Sequence, residues 1–348
     1  MVIISKQNLS HPTFWTNRQH VKSFLKYAAA IVFGMSIGIV IGRSHSDLQG
    51  IYSSTNYKVD PVTVLKKDFI ENDGSFHPIH VYRGSPQAIN NLPNQMSELT
   101  LKYPKGSQVD QDKVIIALIE KYRSKHNKKG SAIQNPNYFI DLAANDALQL
   151  SNTLLLENQG WEGLCIEPNP VYWYRLAHRK CTVAGAFVGG ISDMQEVTVS
   201  FSQEYGGIVG EEFDNSEKKE TDEKRYSVSL STLFSKFHVP KQIQYLSLDV
   251  EGAEELIMKD FPFDEYVIDF ITIERPRPAL KELLESNGYI FVTMLIHWGE
   301  TLWVHKNIIE DDFSLNDIIK TTKENSRFID QKPKRGAAVF DLETGEYK

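Results

Sequence analysis

Four runs in this 348-residue chain end on clustered carboxylates. They are Asp141-Leu-Ala-Ala-Asn145-Asp146, Glu167-Pro168-Asn169, Asp249-Val-Glu251-Gly252-Ala-Glu254 and Glu274-Arg275-Pro276. Each follows a short apolar stretch that reads as a β-strand, so the acidic groups gather at one rim of a sheet. Ligands of open α/β sheets bind at that rim. Glu167 comes 26 residues after Asp141, a spacing that suits a carboxylate accepting from the two hydroxyls of a ribose. Asp249, Glu251 and Glu254 could serve as a general base, or two of them could hold a divalent metal that acidifies a hydroxyl. Strand ends and helix caps recruit Asp, Asn and Glu for structural reasons as well. One such residue is unremarkable on that ground, but four successive strand ends are harder to explain so. Glu254 also fits the first turn of a helix. His297 and His305 read as ordinary strand or loop histidines.

The elements that must position these groups alternate. Residues 108–123 form a helix with one apolar face, and 121–130 a basic, polar linker. Tyr138–Leu142, residues 163–166, 181–188 and 197–201 read as strands, with helices at 147–158 and 170–180 between them. Residues 203–225 carry eight acidic and four basic side chains and paired glycines, and read as a solvated loop. A helix at 230–237, a strand at 243–250, a helix from Glu254 to Lys259, a strand at 267–273, a helix at 278–287 and strands at 289–295 and 301–305 follow. Residues 308–348 look less regular, with an amphipathic piece near 315–319. This alternation predicts an α/β fold, a mostly parallel sheet with helices on both faces and an antiparallel edge.

The N-terminus differs from the rest. A mean hydropathy of −0.34 conceals an uncharged stretch of 16 residues, Tyr27 to Gly42. At 1.5 Å per residue it spans ~24 Å, enough for a thin bilayer when Phe24, Leu25 and the snorkelling Lys26 are added. Lys6, Arg18, Lys22 and Lys26 precede it, and only Arg43 follows closely. The positive-inside rule then leaves 1–26 in the cytosol and the remainder in a lumen. A cleaved signal peptide is the competing reading; its basic lead would be long and no clear cleavage site follows Gly42. Gly34 and Gly38 have a small-xxx-small spacing that could pair helices. The expected organisation is a cytosolic tail (1–26), a transmembrane signal anchor (27–42), a stem (43–104), a catalytic-type domain (105–308) and a C-terminal extension (309–348).

Composition excludes several classes. Hydrophobic residues at 41% and charged residues at 24% rule out a collagen, a wholly disordered chain and a polytopic membrane protein. A net charge of −7 argues against a nucleic-acid partner. With two cysteines, a disulfide-stapled scaffold and a CxxC zinc site are excluded. Cys165 and Cys181 read as separate core thiols.

The run FIDLAANDALQLSNTLLLENQGWEGLCIEPNP (residues 139–170) resembles the first motifs of the FkbM-type S-adenosylmethionine-dependent methyltransferases. YLSLDVEGAEELIMKDFPF (245–263) resembles their D-x-E-G-x-E signature, while Ser107-Gln108 with Asp110 to Asp112, ITIERP and TLWVHKN fit flanking segments. The resemblance implies a Rossmann-like class I methyltransferase sheet with S-adenosylmethionine as cofactor. It implies that Asp141, Ala143 and Asn145 form the loop under the methionine part. It further implies that Ser151 and Asn152 open a helix facing the cofactor's carboxylate, that Glu167 holds the ribose, and that Asp249 sits beside the transferred methyl group. Ala143 and Ala147 stand where the family pattern has glycine; Ala143 need not have positive φ. With the anchor, the implied function is O-methylation of a glycan or glycolipid in the Golgi or endoplasmic reticulum. The alternative is a non-catalytic cargo-binding role in transport between those compartments, by similarity to the membrane-anchored insect Star protein. The anchor predicts that an acceptor sequon engineered into residues 43–100 becomes N-glycosylated in cells, read as a mobility shift lost on deglycosylation. An unmodified chain would overturn the lumenal orientation.

Overall fold

Apolar residues alternate along the central strands, and both sets are buried. Ile140, Leu142, Leu164, Ile166, Leu246 and Leu248 belong to one core cluster, while Phe139, Cys165 and Tyr245 belong to another. A strand whose two faces are both buried requires helices on both sides. The computed structural model describes residues 63–65, 79–82, 106–128, 136–310 and 313–348, apart from 190–192, 194, 202–205, 212, 217, 218, 220 and 221. In chain order the elements that matter here are β1 (Thr63–Leu65), β2 (Ile79–Tyr82), α1 (Gln111–Lys128), β3 (Tyr138–Leu142), α2 (Leu154–Asn158), β4 (Glu162–Ile166), α3 (Pro170–Leu176) and β5 (Thr182–Gly185). Then come β6 (Phe187–Val188), β7 (Glu196–Ser200), β8 (Gly207–Ile208), β9 (Glu223–Val228), α4 (Leu230–Lys236), β10 (Gln242–Leu248), α5 (Glu254–Met258), β11 (Val267–Glu274) and α6 (Pro278–Ser286). The chain closes with β12 (Tyr289–Met294), β13 (Glu300–His305), α7 (Leu315–Asn325), β14 (Phe340–Asp341) and β15 (Glu346–Tyr347).

Nine strands form the main sheet in the order β1-β2-β5-β4-β3-β10-β11-β13-β12. The five from β5 to β11 are parallel. Both flanks are antiparallel: β13 pairs with β11 and β12, and β2 pairs with β5 and β1. The fold is thus α/β and mostly parallel, consistent with a Rossmann-like methyltransferase. No helix among the described residues is long and apolar enough to cross a membrane. The expected anchor at 27–42 and tail at 1–26 lie outside the described residues.

Five local expectations are corrected. The helix expected at 147–158 is confined to α2, because Leu150 has φ +54° and Asp146 Oδ1 accepts from the Leu148 and Gln149 amides (2.9 and 3.0 Å), an Asx turn in place of a helical turn. Of the linker expected at 121–130, residues 121–128 instead continue α1, and the last two lie outside the described residues. Its lysines find partners on α7: Lys121 Nζ donates to Thr321 Oγ1 (2.7 Å), and Lys121 and Lys125 lie 3.8 and 3.7 Å from Asp317. The strand at 181–188 breaks at Ala186, with β5 in the main sheet and β6 in a four-stranded sheet of order β6-β9-β7-β8. The charged segment 203–225 supplies β8 and the start of β9, where Lys224 pairs with Glu196 on β7.

The fifth correction concerns the cysteines, which are bonded rather than free. Parallel pairing of β4 with β5 sets Cys165 opposite Val183. Cys181, one residue before β5, then has its Cα 6.0 Å from that of Cys165, inside the range a disulfide spans. Two strands read separately give no sign of this approach. The bridge spans 16 residues, so Cys165→Ala with Cys181→Ala is expected to lower unfolding free energy by about 3 kcal/mol. A denaturant titration against the oxidised wild type measures it.

Candidate functional site

The strand order reverses between β3 and β10, where crevices open in such sheets. A cleft of about 930 Å³, counted to its open mouth, lies there. Its walls include Gln108, Ala143, Asn145, Leu150, Asn152, Glu167, Asn169, Tyr172, Phe187, Phe201, Asp249, Glu251 and Glu274. Of the residues singled out from sequence, Ala143, Asn145, Asn152, Glu167, Asp249 and Glu251 therefore share one cavity. Asp141, Ser151 and Glu254 do not line it.

The loop after β3 is contorted. Ala143, Asn145 and Leu150 all have left-handed backbones, with φ of +58°, +52° and +54°. Such conformations cost L-residues ~1–2 kcal/mol each, so surrounding bonds must enforce them. The Ala144 amide donates to the Ile166 carbonyl (3.0 Å), and the Asn145 amide to Glu167 Oε2 (2.7 Å). Ala143 thus occupies the conformation for which glycine is the unstrained residue. Ala147 is fully buried in an apolar cluster and keeps its methyl group away from the cleft.

Glu167 is a bracket between two loops. Oε2 takes the Asn145 amide and Oε1 the Asn169 amide, each at 2.7 Å. Burial pushes its pKa up to about 7 despite those two donors. Asp141 lies one layer deeper, accepting from Thr153 Oγ1, and burial raises its pKa too. Ser151 and Asn152 precede α2 rather than open it, since Thr153 is the N-cap. Asn152 Nδ2 donates to Ser247 Oγ (2.9 Å), while its Oδ1 is buried without a partner. An unpaired buried acceptor costs ~1–3 kcal/mol, and here it belongs to a residue that lines the cleft.

Across the cleft, Asp249, Glu251 and Glu274 each place an oxygen within 4.8 Å of the others'. Burial first, then the charges of Glu274, Glu251 and Glu300, pushes the Asp249 carboxyl well above the usual range. Burial and Glu274 lift Glu251 to about 7. Arg275 Nη2 answers the cluster, lying 2.9 Å from Asp214, 3.0 Å from Glu251 and 2.5 Å from Glu274. Glu254 serves the loop itself: Oε1 accepts from the Val250 and Gly252 amides (3.1 and 3.2 Å). Gly252, at φ +93°, must be glycine, because a Cβ would come within 2.8 Å of the Asp214 amide.

Residues 141–293 match the family model described as the methyltransferase FkbM domain. The match covers 153 of the 348 residues, 141 to 293 inclusive. No curated protein matches the chain. Methyltransferase domains in general use S-adenosylmethionine, and the FkbM domain's cleft fits that cofactor on two observations of its own: the orphaned Asn152 Oδ1, and a carboxylate at Glu167 held at the cavity wall by backbone amides. Sequence reasoning set Glu274 at the acidic rim but gave it no role, although it closes β11 and shares the cleft with Asp249. It also passed over Tyr172, Phe187 and Phe201. The two phenylalanines stand 5.8 Å apart, Phe187 on β6 and Phe201 just after β7. Both lie in stretches read as strands, 181–188 and 197–201, but neither stretch ends on a carboxylate, the signal by which the site was sought.

Buried carboxylates with raised pKa values make the ligand-free domain sensitive to base. Glu167, Glu254 and Asp269 titrate at about 7 and Glu300 at about 8, all above their unfolded values. The folded state therefore holds more protons between about pH 4.5 and 8, and its stability falls as pH rises through that window, by ~1.4 kcal/mol per pH unit for each fully titrating group. Urea midpoints are expected to be higher at pH 5.5 than at pH 8. Equal midpoints would contradict the burial of these groups.

Proposed function

We propose that the FkbM domain transfers a methyl group from S-adenosylmethionine to a hydroxyl of a glycan or glycolipid in the lumen of the Golgi or endoplasmic reticulum. The observation that carries the reading is one cleft joining Glu167, Asn152 and Asp249 at the strand-order reversal. The cofactor, when bound, supplies an electrophilic sulfonium methyl. Glu167 accepts from the ribose hydroxyls through the lone pairs its amide donors leave free, and Asn152 Oδ1 accepts from the α-ammonium. Asp249 takes the proton of the acceptor hydroxyl as that oxygen becomes the nucleophile. A base buried beside Glu251 and Glu274 holds a proton more tightly than an isolated carboxylate does, which makes it a stronger proton acceptor once ionised. The same three carboxylates offer hard oxygen ligands for a divalent cation, which would compete with Arg275 for Glu251 and Glu274.

The compartment is supported by chemistry as well as by the uncharged stretch at 27–42. A disulfide buried in the core forms and persists in an oxidising environment. The second reading, a cargo-binding protein without catalysis, is favoured by the alanine that lines the cleft at position 143, one methyl group larger than glycine.

Calorimetric titration of S-adenosylmethionine into the full chain separates the two. Binding is expected, with Glu167→Ala weakening it about tenfold or more through loss of charge-assisted bonds. Asp249→Asn should leave binding intact and lower methyl transfer to glycolipid or glycan acceptors by ~10²–10⁴. No heat at millimolar cofactor would leave the cargo-binding reading, and wild-type affinity in Glu167→Ala would refute the ribose role. Chelation by EDTA, with Mg²⁺ added back, tests the cation: unchanged turnover removes it.

A further inference from the structure

Arg179 follows α3 and precedes Lys180 and Cys181, and nothing in its sequence setting sets it apart. In the fold it is only 3% exposed, and each guanidinium nitrogen has a partner. Nε donates to Glu157 Oε2, Nη1 to Ser151 Oγ (2.9 Å) and Nη2 to Thr153 Oγ1 (2.9 Å). Thr153 Oγ1 passes its own proton to Asp141. The other oxygen of Glu157 takes the Lys180 and Cys181 amides (2.6 and 3.2 Å). Cys181 is bonded to Cys165, two residues before Glu167. The guanidinium therefore reaches the cleft loop from a segment tied covalently to the strand that carries Glu167.

We propose that Arg179 is a positioning residue for the cofactor: it pins Ser151 and Thr153, and so holds Asn152, a residue of the cleft wall, between them with its amide nitrogen turned to Ser247. This rests on the methyltransferase reading given above. The loop cannot hold itself. Three of its residues are left-handed, and α2, which follows, has five residues, too few to be stable without outside contacts. A planar guanidinium holds two hydroxyls and a carboxylate in a fixed fork, whereas an ammonium on a flexible stem offers three donors with no fixed spread.

The test compares Arg179→Lys, Ser151→Ala and their double variant in the full chain. Three readouts are taken: S-adenosylmethionine affinity by calorimetry, hydrogen exchange of amides 145–153 without cofactor, and melting temperature. Arg179→Lys is expected to weaken binding by about tenfold or more, the scale on which outer supports of a site act. Exchange should quicken across 145–153 and stay unchanged in β10, β11 and α6. Ser151→Ala should move both readouts the same way by less, and the double variant should be no worse than Arg179→Lys, because both act through one contact. Wild-type affinity and wild-type exchange in folded Arg179→Lys would overturn the proposal. A merely structural arginine would lower the melting temperature while leaving affinity and local exchange untouched. If Arg179→Lys does not fold, unchanged exchange at 145–153 in Ser151→Ala overturns it. If the wild type binds no S-adenosylmethionine, the methyltransferase reading fails by itself, and the exchange comparison still decides the brace.

Discussion

The structure depends on β3 pairing in parallel with two different neighbours, β4 on one side and β10 on the other. Crossovers leaving a strand in opposite directions must diverge at its carboxyl end, and the gap they leave cannot be filled by either. Four carboxylates, Glu167, Asp249, Glu251 and Glu274, face that gap. Glu167 arrives from β4, Asp249 from β10 and Glu274 from β11, while the chain leaving β3 has to turn sharply beneath them. The left-handed residues at 143, 145 and 150 are the local consequence: an ordinary turn would carry the backbone away from the crevice. Strain of this kind persists because buried donors and acceptors on neighbouring elements fix each of its ends.

The electrostatics follow from the same gap. Glu167, Asp249, Glu251 and Glu274 line one cleft, and no basic side chain lines it among the described residues. Burial raises the pKa values of Glu167, Asp249 and Glu251, and for Asp249 and Glu251 the neighbouring charge of Glu274 adds to it. Arg275 relieves part of this by engaging Glu251, Glu274 and Asp214 together, at the cost of a left-handed backbone of its own, φ +50°. A cavity so furnished favours ligands rich in hydrogen-bond donors or carrying positive charge, and opposes anions. A sulfonium cofactor and a hydroxyl-bearing acceptor both satisfy that condition.

The strands were legible because their apolar runs were short and bounded, and the carboxylates because they fell at the ends of those runs. Both signals are local. What escaped reading arises from contacts distant in sequence. The part of α1 from Lys121 onward looks like a polar linker until Asp317, nearly 200 positions away, supplies partners for Lys121 and Lys125. The segment at 147–153 has helical composition, but the Asp146 side chain competes for the first amides. Phe201 reaches the cleft only through a small sheet whose charged strand β9 has no apolar alternation. Cys165 and Cys181 meet through strand pairing alone.

Ala143 shows how packing can reverse an inference drawn from residue type. Alanine in place of glycine suggests a loop that has given up its tight turn, yet the turn is present, with Ala143 at φ +58°. The amides on either side of the following residue explain why. Ala144 donates to Ile166 and Asn145 to Glu167, and both bonds require the chain to double back at position 143. One bond to a buried, ionisable acceptor is worth ~1.5–3 kcal/mol, enough to offset the ~1–2 kcal/mol that a left-handed alanine costs. The methyl group is then carried to the cleft wall without disturbing the loop's path. Its effect falls on the volume open to a ligand rather than on the fold, so the backbone geometry of a cofactor loop is kept whether or not a cofactor fills it.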